Sequence, residues 1–393
     1  MSDATPTLAW LLDPVAPAAF VGEHFERRPL VVNRRRADYY GDLLDVAGLD
    51  RCLGQGSFSH PEVNVVAQGR SVDCSTFAYP SGLIDLVRLY QQFDEGGTII
   101  VSQLELRHAG LALLCRQLEA ELSTRLQANI YLTPAGAMGF RSHYDSHDVV
   151  VLQLAGTKQW RLFDTPIELP HRGQHFAPKD VAPTACTLEF ELGPGDLCYL
   201  PRGVMHEATT TDETSLHITL GLMHTSWTEL LLEALAQASL RDPELRRALP
   251  LGFARPDFDR EVARATFDTM IAGLAEGVDF DQALDHFADD LVSTRHPVVQ
   301  GQLEAALTAS QLAGDAQVGG RPELLYRIVR KPDAVVLRCY GSELQFPLHA
   351  EAALRFALTT ERYCADDIPG DLDADGKRTL VRRLVREGVL AVR

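Results

Sequence analysis

The chain has 393 residues, of which 46% are hydrophobic and 23% are charged, and its formal net charge is −17. Single cores stop growing at about 250–300 residues, so this length predicts two or three domains. The strongly negative charge argues against a surface built to neutralise phosphates, so a nucleic-acid partner is not expected.

Residues 1–225 are predicted to form a β-rich domain. Short runs of β-branched and apolar residues recur at 29–34, 97–102, 128–134, 148–156, 158–164, 186–201 and 214–223. Such runs, separated by Gly, Pro and Asp, are typical of an all-β sandwich or barrel. Helical spacing occurs at 17–26 and 107–126, and residues 155–157 (Ala-Gly-Thr) have the composition of a hairpin turn.

The remainder of the chain changes character twice. Between 226 and 315, apolar residues recur every three or four positions at 228–240, 260–277 and 281–292, which predicts amphipathic helices that cover the barrel or pair with another copy. Beyond 316, the pattern predicts paired strands at 326–330 and 334–340, helices at 349–358 and 375–388, and a last strand at 389–392. Short helices that end in a strand suggest a winged helix.

Cysteine usage and the absence of long apolar runs bear on the compartment. The seven cysteines are dispersed and form no CxxC pair, which indicates reduced thiols. The N-terminus has no basic region ahead of its apolar stretch, and no run approaches the roughly 18 apolar residues of a membrane helix. We therefore expect a cytoplasmic protein without membrane association.

A candidate metal site lies in the β-rich region. His143 and Asp145 are two residues apart, so on a strand their side chains point to the same face. His206 follows a turn–strand–turn pattern at 193–205 and is expected to begin the next strand. Two histidines and one carboxylate form the facial triad of non-heme Fe(II) oxygenases, whose open coordination positions can take a 2-oxo acid and O2.

Other readings of the same residues stay open. An HxD pair alone is more often a surface turn, whereas the later histidine after GxGD and LPRG makes the combination specific. His147 shares a face with His143 by alternation and is expected to lie outside the ligand set, and Asp148 competes for the same role. His217 lies on a predicted strand and either faces the cavity or is a satisfied interior histidine.

The stretch 129–160 (NIYLTPAGAMGFRSHYDSHDVVVLQLAGTKQW) strongly resembles the JmjC-type ribosomal oxygenases, also called the cupin-4 group. Residues 20–32 (FVGEHFERRPLVV) are similar to the opening segment of that family. The resemblance is sharp over about 129–220 and architectural elsewhere. It implies a double-stranded β-helix of the cupin/JmjC jelly-roll type with N-terminal helices at 1–225, a helical dimerisation domain at 226–315 and a winged-helix domain at 316–393.

The resemblance also implies an activity and its cofactors. These are Fe(II), 2-oxoglutarate and O2, used to hydroxylate an arginine or histidine side chain of a protein, with a ribosomal protein as the expected substrate and a homodimer as the expected assembly. The matching positions are His143, Asp145 and His206 for the iron, Lys158 for the distal carboxylate of 2-oxoglutarate, and Asn129, Tyr131 and Thr133 for the strand that lines the cosubstrate pocket. His217 is added as a pocket candidate. An inward lysine would be costly to bury without an anionic partner, which agrees with the role of Lys158.

Several alternatives remain at this stage. The segment 146–148 departs from the best-known members, which leaves a peptide or small natural product as an alternative substrate. An N-demethylase would use the same iron chemistry. A DNA-binding regulator would use the basic residues at 377–386, although acidic residues at 366–375 precede them. A cupin that binds metal without redox turnover is disfavoured by Lys158 in its GxKxW segment.

Overall fold

The computed structural model describes residues 6–177 and 185–393. The chain divides into two compact units. The first contains the described residues up to Met223 together with Pro297–Leu324 and His349–Arg393, and the second contains His224–His296 and Leu325–Leu348. None of the helices in the described ranges is long and apolar enough to cross a membrane.

The first unit combines helices with antiparallel strands. Its helices are α1 (Leu8–Leu12), α2 (Pro17–Glu23), α3 (Val46–Gln55), α4 (Leu86–Asp94), α5 (Ala109–Leu122), α9 (Gln302–Thr308), α10 (Glu351–Thr359) and α11 (Ala374–Arg386). Its strands are β1 (Leu30–Val32), β2 (Val63–Ala67), β3 (Arg70–Ser71), β4 (Thr98–Val101), β5 (Arg125–Thr133), β6 (Asp148–Ala155), β7 (Lys158–Phe163), β8 (Cys186–Leu192), β9 (Leu197–Leu200), β10 (His206–Thr210), β11 (Ser215–Met223), β12 (Val318–Gly320) and β16 (Leu390–Val392).

Two sheets of the first unit pack face to face. The larger has the strand order β1-β9-β6-β11-β5-β4-β2-β3 and the smaller the order β10-β7-β8, and the strand pairs are antiparallel. Val149 and Val151 of β6 pack with Trp160 and Leu162 of β7 between the sheets. This arrangement confirms the predicted mixed fold with antiparallel sheets, in agreement with a JmjC/cupin jelly roll.

The large sheet is covered on its other face by the N-terminal helices. Val150 and Leu152 of β6 belong to the same core cluster as Leu11, Phe20 and Leu111 from α1, α2 and α5. Successive residues of a strand point to opposite faces. Because both faces of the large sheet are covered, β6 is almost continuously apolar, as the run at 148–156 shows.

One predicted turn has a different role in the structure. The residues 155–157 were expected to make a hairpin, but β6 and β7 belong to different sheets and do not pair. Gly156 has a φ of +60°, and a Cβ there would come within 2.0 Å of the carbonyl oxygen of Thr214. The backbone therefore turns a tight corner from one sheet to the other, which only glycine permits without strain. The hairpin prediction was wrong because short turns of both kinds favour glycine.

The second unit is a helical module with a small sheet. It contains α6 (Trp227–Arg241), α7 (Arg260–Gly277) and α8 (Phe280–Thr294), and the strands β13 (Arg327–Arg330), β14 (Ala334–Cys339) and β15 (Ser342–Pro347), which form one antiparallel sheet. Asp289 of α8 accepts hydrogen bonds from Arg327 of β13, at 2.9 Å, and from Arg338 of β14. These ion pairs tie the helix to the sheet.

The predicted helices and strands correspond closely to the observed ones. The helix predicted at 260–277 is α7, the helices predicted at 228–240 and 281–292 are α6 and α8, and the strands predicted at 326–330 and 334–340 pair as β13 and β14. Side-chain caps mark several helix starts: Ser226 and Glu229 form a capping box on α6, and Asp259 caps α7. The sequence interpretation overlooked α3, α4, α9, β2, β3, β12 and β15.

Candidate metal centre and adjoining cavity

Three side chains that are distant in the sequence meet between the two sheets. A carboxylate oxygen of Asp145 lies 4.0 Å from Nε2 of His143, and the other lies 3.7 Å from Nε2 of His206. One donor atom from each of the three residues lies within 4.8 Å of the other two, and no other such group occurs in the described ranges. The geometry therefore brings together the residues that the sequence singled out as ligands.

Backbone hydrogen bonds hold the two ligand segments side by side. The amide of His143 donates to the carbonyl of His206 at 3.0 Å, and the amide of His206 donates back at 2.8 Å. The carbonyl of Asp145 accepts from the amide of Gly203 at 3.0 Å. Gly203 has a φ of +88°, and a Cβ there would meet the carbonyl oxygen of Ile167 at 2.1 Å. The segment that precedes His206 can therefore follow this path only with glycine.

Both imidazoles are oriented by their second nitrogen. Nδ1 of His143 lies 2.8 Å from the carbonyl oxygen of Arg141, and Nδ1 of His206 lies 3.0 Å from that of Val204. An N–H donor at Nδ1 leaves Nε2 unprotonated and directed towards Asp145. This is the arrangement usual for histidines that bind metals, whose other ring nitrogen donates to a carbonyl or carboxylate.

Electrostatics also prepare the three groups for a cation. Burial alone would raise the pKa of Asp145, but the adjacent imidazoles of His143 and His206 hold it below its usual value, so the carboxylate is ionised at neutral pH. Burial and the neighbouring His143 lower the pKa of His206 to about 4, so this imidazole is neutral. An ionised carboxylate and a neutral imidazole are the forms in which these groups bind metals.

The two competing residues of the same segment have other roles. His147 packs on β11, where a Cβ on Gly221 would come within 2.9 Å of its ring. Asp148 is fully buried and accepts hydrogen bonds from the Tyr199 hydroxyl and from Arg202. Neither residue belongs to the three-residue donor group, which agrees with the expectation for His147.

A cavity between the sheets extends from the donor group. Its walls come from strands of both sheets. The lining residues are Thr98, Ile100, Tyr131, Gly139, Phe140, His143, Asp145, Val149, Val151, Lys158, Trp160, His206, Ala208, His217 and Thr219. The walls are mainly apolar and aromatic, with polar groups at two places, as is usual for sites that bind small molecules.

Lys158 lies in this cavity and is 3% exposed. Burial lowers the pKa of its ammonium group to about 7. Its Nζ donates a hydrogen bond of 3.1 Å to the hydroxyl of Thr133, which lies 3.3 Å from the hydroxyl of Thr98. Among the described residues, no carboxylate forms an ion pair with Lys158. A cation that is buried without a counterion is costly, so the cavity favours an anionic ligand.

Two further polar atoms in the cavity wall have no partner in the described ranges. These are Nδ1 of His217 and Nε1 of Trp160. The His217 ring stacks on Tyr131, with ring centroids 4.7 Å apart and planes 2° apart. Burial and the nearby Lys158 keep the pKa of His217 well below its usual value, so the ring is neutral. Buried polar atoms without partners indicate that a ligand completes their hydrogen bonds.

The remaining sequence candidates divide between cavity and framework. Tyr131 lines the cavity, whereas Asn129 accepts a hydrogen bond of 3.0 Å from the amide of Gln103. Asn129 therefore supports the chain after β4, where Gln103 has a φ of +55°. The sequence interpretation overlooked the contributions of Thr98 and Thr219. Thr219 was accessible by alternation, because it is two residues after His217 on β11.

The donor set fits a divalent transition metal. Two imidazoles and one carboxylate that converge from one side leave further coordination positions open, and this combination selects non-heme Fe(II) among the common biological ions. Structural zinc sites instead use four protein ligands, usually with cysteine. The cysteine thiols lie outside the donor group in the described ranges.

Comparison with known proteins gives consistent findings. Residues 105–230 match the family model described as JmjC domain. The chain is 30% identical over 298 residues to the bifunctional lysine-specific demethylase and histidyl-hydroxylase NO66 of Aedes aegypti, covering 72% of this chain and 46% of the relative. It is 31% identical over 252 residues to ribosomal oxygenase 2 of Mus musculus, covering 61% and 53%. The chain spans about half the length of these curated relatives.

The architecture also has a solved counterpart. The structure of the Escherichia coli ribosomal oxygenase YcfD in complex with cobalt and 2-oxoglutarate is similar with a TM-score of 0.57 and 18% identity, over 96% of this chain and 98% of that one. At this identity the likeness shows a shared fold. Together with the family match and the curated relatives, it shows that this chain contains a JmjC domain at residues 105–230 and is a homologue of the ribosomal oxygenases.

Proposed function

We propose that this protein is an Fe(II)- and 2-oxoglutarate-dependent oxygenase that hydroxylates an arginine- or histidine-class side chain of a protein, with a ribosomal protein as the leading substrate. The observation that carries the proposal is one cavity with His143, Asp145 and His206 at one place and an unpaired buried Lys158 at another. When bound, Fe(II) supplies the redox chemistry that converts 2-oxoglutarate, O2 and a C–H bond to succinate, CO2 and an alcohol. The named relatives are hydroxylases and ribosomal oxygenases.

The protein's own residues have separate tasks in this reaction. His143, Asp145 and His206 hold the metal from one side and leave the other side to the reactants. Lys158 donates its ammonium hydrogen atoms to the distal carboxylate of 2-oxoglutarate, with Thr133 keeping Nζ in position. The apolar cavity walls, including Val149 and Val151, exclude water from the reacting atoms.

The activity can be tested directly. Purified protein loaded with Fe(II) should consume O2 and form succinate only when 2-oxoglutarate is present. Mass spectrometry of ribosomal proteins from cells with and without the gene should show a peptide that gains the mass of one oxygen atom. A protein that binds the metal but gives no turnover of 2-oxoglutarate with any extract would contradict the oxygenase and favour the non-redox cupin alternative.

N-demethylation is the second candidate, because the name of one relative includes a lysine-specific demethylase. Hydroxylation of an N-methyl group gives an unstable product that releases formaldehyde. Formaldehyde that accumulates in proportion to succinate would therefore identify demethylation, whereas a stable hydroxylated peptide identifies hydroxylation. A peptide or small natural product as substrate, and DNA binding by the basic residues at 377–386, remain predictions from the sequence.

The affinity for 2-oxoglutarate should fall as the pH rises above about 7. Lys158 has a pKa of about 7, and a bound carboxylate favours its charged form. Below that pH the lysine already carries its proton, whereas above it binding must take up one. We expect the dissociation constant of the metal-loaded protein to rise by up to about tenfold per pH unit.

Calorimetry in buffers of different ionisation enthalpy measures both the affinity and the proton uptake. The matched ligand is 2-oxopentanoate, which chelates through the same 2-oxo acid but lacks the distal carboxylate. It reports the pH dependence of the metal end alone. Equal pH dependence for the two ligands would contradict the pairing between Lys158 and the distal carboxylate.

We further propose that the protein is a homodimer through its helical unit. Helix α7 has no buried residue, and Val262, Phe267 and Ile271 are 67%, 62% and 51% exposed on it. Phe267 and Ile271 are four residues apart, so they lie on one face of the helix. A helix with an exposed apolar face requires a partner surface.

The double substitution Phe267→Asp with Ile271→Asp should convert the dimer to a monomer, because it introduces charges into an apolar interface. Light scattering after size-exclusion chromatography measures the mass. Asp268→Ala on the same helix is the control and should remain dimeric. A wild-type protein that is monomeric at micromolar concentration would contradict the proposal.

The domain organisation and the compartment complete the proposal. We propose a catalytic domain at 1–225, a helical dimerisation domain at 226–315 and a winged-helix domain at 316–393, in a cytoplasmic protein. Helices α6 to α8 support the second domain. Helices α10 and α11, with β16 after them, support the third. Limited proteolysis should cut first near residues 225 and 315.

A further inference from the structure

The three donor residues lie on two chain segments that separate and rejoin. At one end, Val149 of β6 pairs with Leu200 of β9. At the other, His143 pairs with His206 through two backbone hydrogen bonds. Between these two points the segments leave the ladder, so the distance and angle between the ligands depend on what holds the intervening residues.

A buried ion pair spans the two segments at the end near the sheet. Asp148, which is fully buried, accepts hydrogen bonds from the backbone amide of Arg202 at 3.2 Å and from its guanidinium at 3.1 Å. Asp148 follows Asp145 by three residues, and Arg202 precedes His206 by four. The pair therefore joins both ligand segments close to the ligands while standing outside the donor group.

The ion pair is itself held by the N-terminal part of the unit. The guanidinium of Arg202 contacts the carboxylate of Glu26 at 2.6 Å. The Tyr199 hydroxyl donates to Asp148 at 2.5 Å and accepts from the amide of Glu26 at 2.9 Å. These contacts form a closed ring through Glu26, Arg202, Asp148 and Tyr199. The planar guanidinium makes its hydrogen bonds in fixed directions, so such a ring restricts the position of both segments.

We propose that the Asp148–Arg202 ion pair, supported by Glu26 and Tyr199, is a positioning device that sets the geometry of the metal ligands. This inference rests on the proposed metal site. Asp148 and Arg202 act through the backbone of the ligand segments and do not contact the metal. Partners that orient metal ligands typically contribute about 10- to 100-fold to metal affinity when they are removed.

A purely structural ion pair would stabilise the fold without affecting the ligands, and the chain offers a matched case. Arg116 and Glu119 form a buried ion pair of 2.8 Å within α5, with side chains 8% and 2% exposed. Glu119 also accepts a hydrogen bond from the amide of Leu126. This pair is as buried as the Asp148–Arg202 pair but lies on neither ligand segment, so Glu119→Gln controls for the loss of a buried charge.

The experiment compares Co(II) binding by the wild type, Asp148→Asn and Glu119→Gln, at a temperature well below the unfolding midpoint of each protein. Co(II) reports ligand geometry through its visible absorption, independently of any turnover. We expect Asp148→Asn to bind Co(II) at least about tenfold more weakly, with an altered spectrum. Glu119→Gln should lower the thermal midpoint while its Co(II) affinity stays within about twofold of the wild type.

An unchanged Co(II) affinity and spectrum in folded Asp148→Asn would overturn the positioning role while leaving the metal site intact. An equal loss of affinity in Glu119→Gln would overturn it too, because the effect would then be one of general stability. Wild-type protein that binds no Co(II) would instead overturn the metal site itself.

A milder variant keeps the test decisive where Asp148→Asn does not fold. Glu26 is 34% exposed, so Glu26→Gln weakens the ring without leaving a fully buried group unpaired. It should bind Co(II) about threefold more weakly and shift the spectrum in the same direction. A spectrum identical to that of the wild type would refute the proposal by this route.

Discussion

Asp145→Ala is expected to abolish tight metal binding and all turnover of 2-oxoglutarate. Asp145 provides the only anionic donor of the three-residue group, and its two oxygens lie towards both imidazoles. Without it, two neutral imidazoles remain, which neither balance the charge of a divalent ion nor fix its position. Succinate formation should fall below detection, and titration with Co(II) should show no saturable change in absorption.

His147→Ala is the matched control for this prediction. His147 is two residues from Asp145 and on the same segment, but its ring packs on Gly221 rather than joining the donor group. The variant should therefore retain saturable Co(II) binding. Turnover that persists in Asp145→Ala, or a loss of Co(II) binding in His147→Ala as complete as that in Asp145→Ala, would show that the ligand set has been assigned incorrectly.

Lys158→Ala is expected to have the second-largest effect, on the cosubstrate rather than the metal. In the proposed complex the ammonium group and the distal carboxylate of 2-oxoglutarate are buried together. Removing one partner leaves the other as an uncompensated buried charge, which costs about 3–5 kcal/mol. The dissociation constant of 2-oxoglutarate should therefore rise by about two to four orders of magnitude, while Co(II) affinity remains at the wild-type level.

A comparison of two ligands isolates this interaction. Wild-type protein should bind 2-oxoglutarate much more tightly than 2-oxopentanoate, and the preference should disappear in Lys158→Ala, because the two ligands differ only at the distal carboxylate. Lys158→Arg retains the charge and should restore part of the preference. A variant that lacks Lys158 but discriminates between the ligands as well as the wild type would assign the carboxylate to another residue.

Much of the fold was predictable because strands and helices leave different periods in the sequence. Helix α7 was predicted with its observed bounds, since its apolar positions recur at helical spacing and Asp259 provides a start signal. Strands β5, β6 and β11 were predicted because they are long and rich in β-branched residues. Short or edge elements such as β3 and β12 were missed, since two or three residues carry no measurable period.

The connections between strands were less accessible than the strands themselves. The corner at Gly156 has the local composition of a hairpin, and only the position of Thr214 in the folded chain distinguishes the two. Pairing between distant segments depends on register and on contacts that no local window contains. The same reason explains why the ring through Glu26 and Tyr199 was not anticipated.

The candidate site was accessible to the extent that its chemistry lies in local patterns. The spacing of His143 and Asp145, and the turns before His206, are visible in the sequence. The orphaned Nε1 of Trp160 and the hydroxyl pair of Thr98 and Thr133 required coordinates, because they arise from strands that become neighbours only on folding. Asn129 shows the converse, since its alternation points to the cavity face while its side chain supports the backbone.

The passage of the chain from one sheet to the other has a consequence for folding. Since β6 and β9 belong to the large sheet while β7, β8 and β10 belong to the small one, neither sheet can be completed from a continuous piece of chain. His143 and His206 are about sixty residues apart, and they meet only when both sheets have closed on each other. Long-range closure of this kind is slow. During refolding, cobalt absorbance should therefore appear after helical circular dichroism, as a late reporter of sandwich closure.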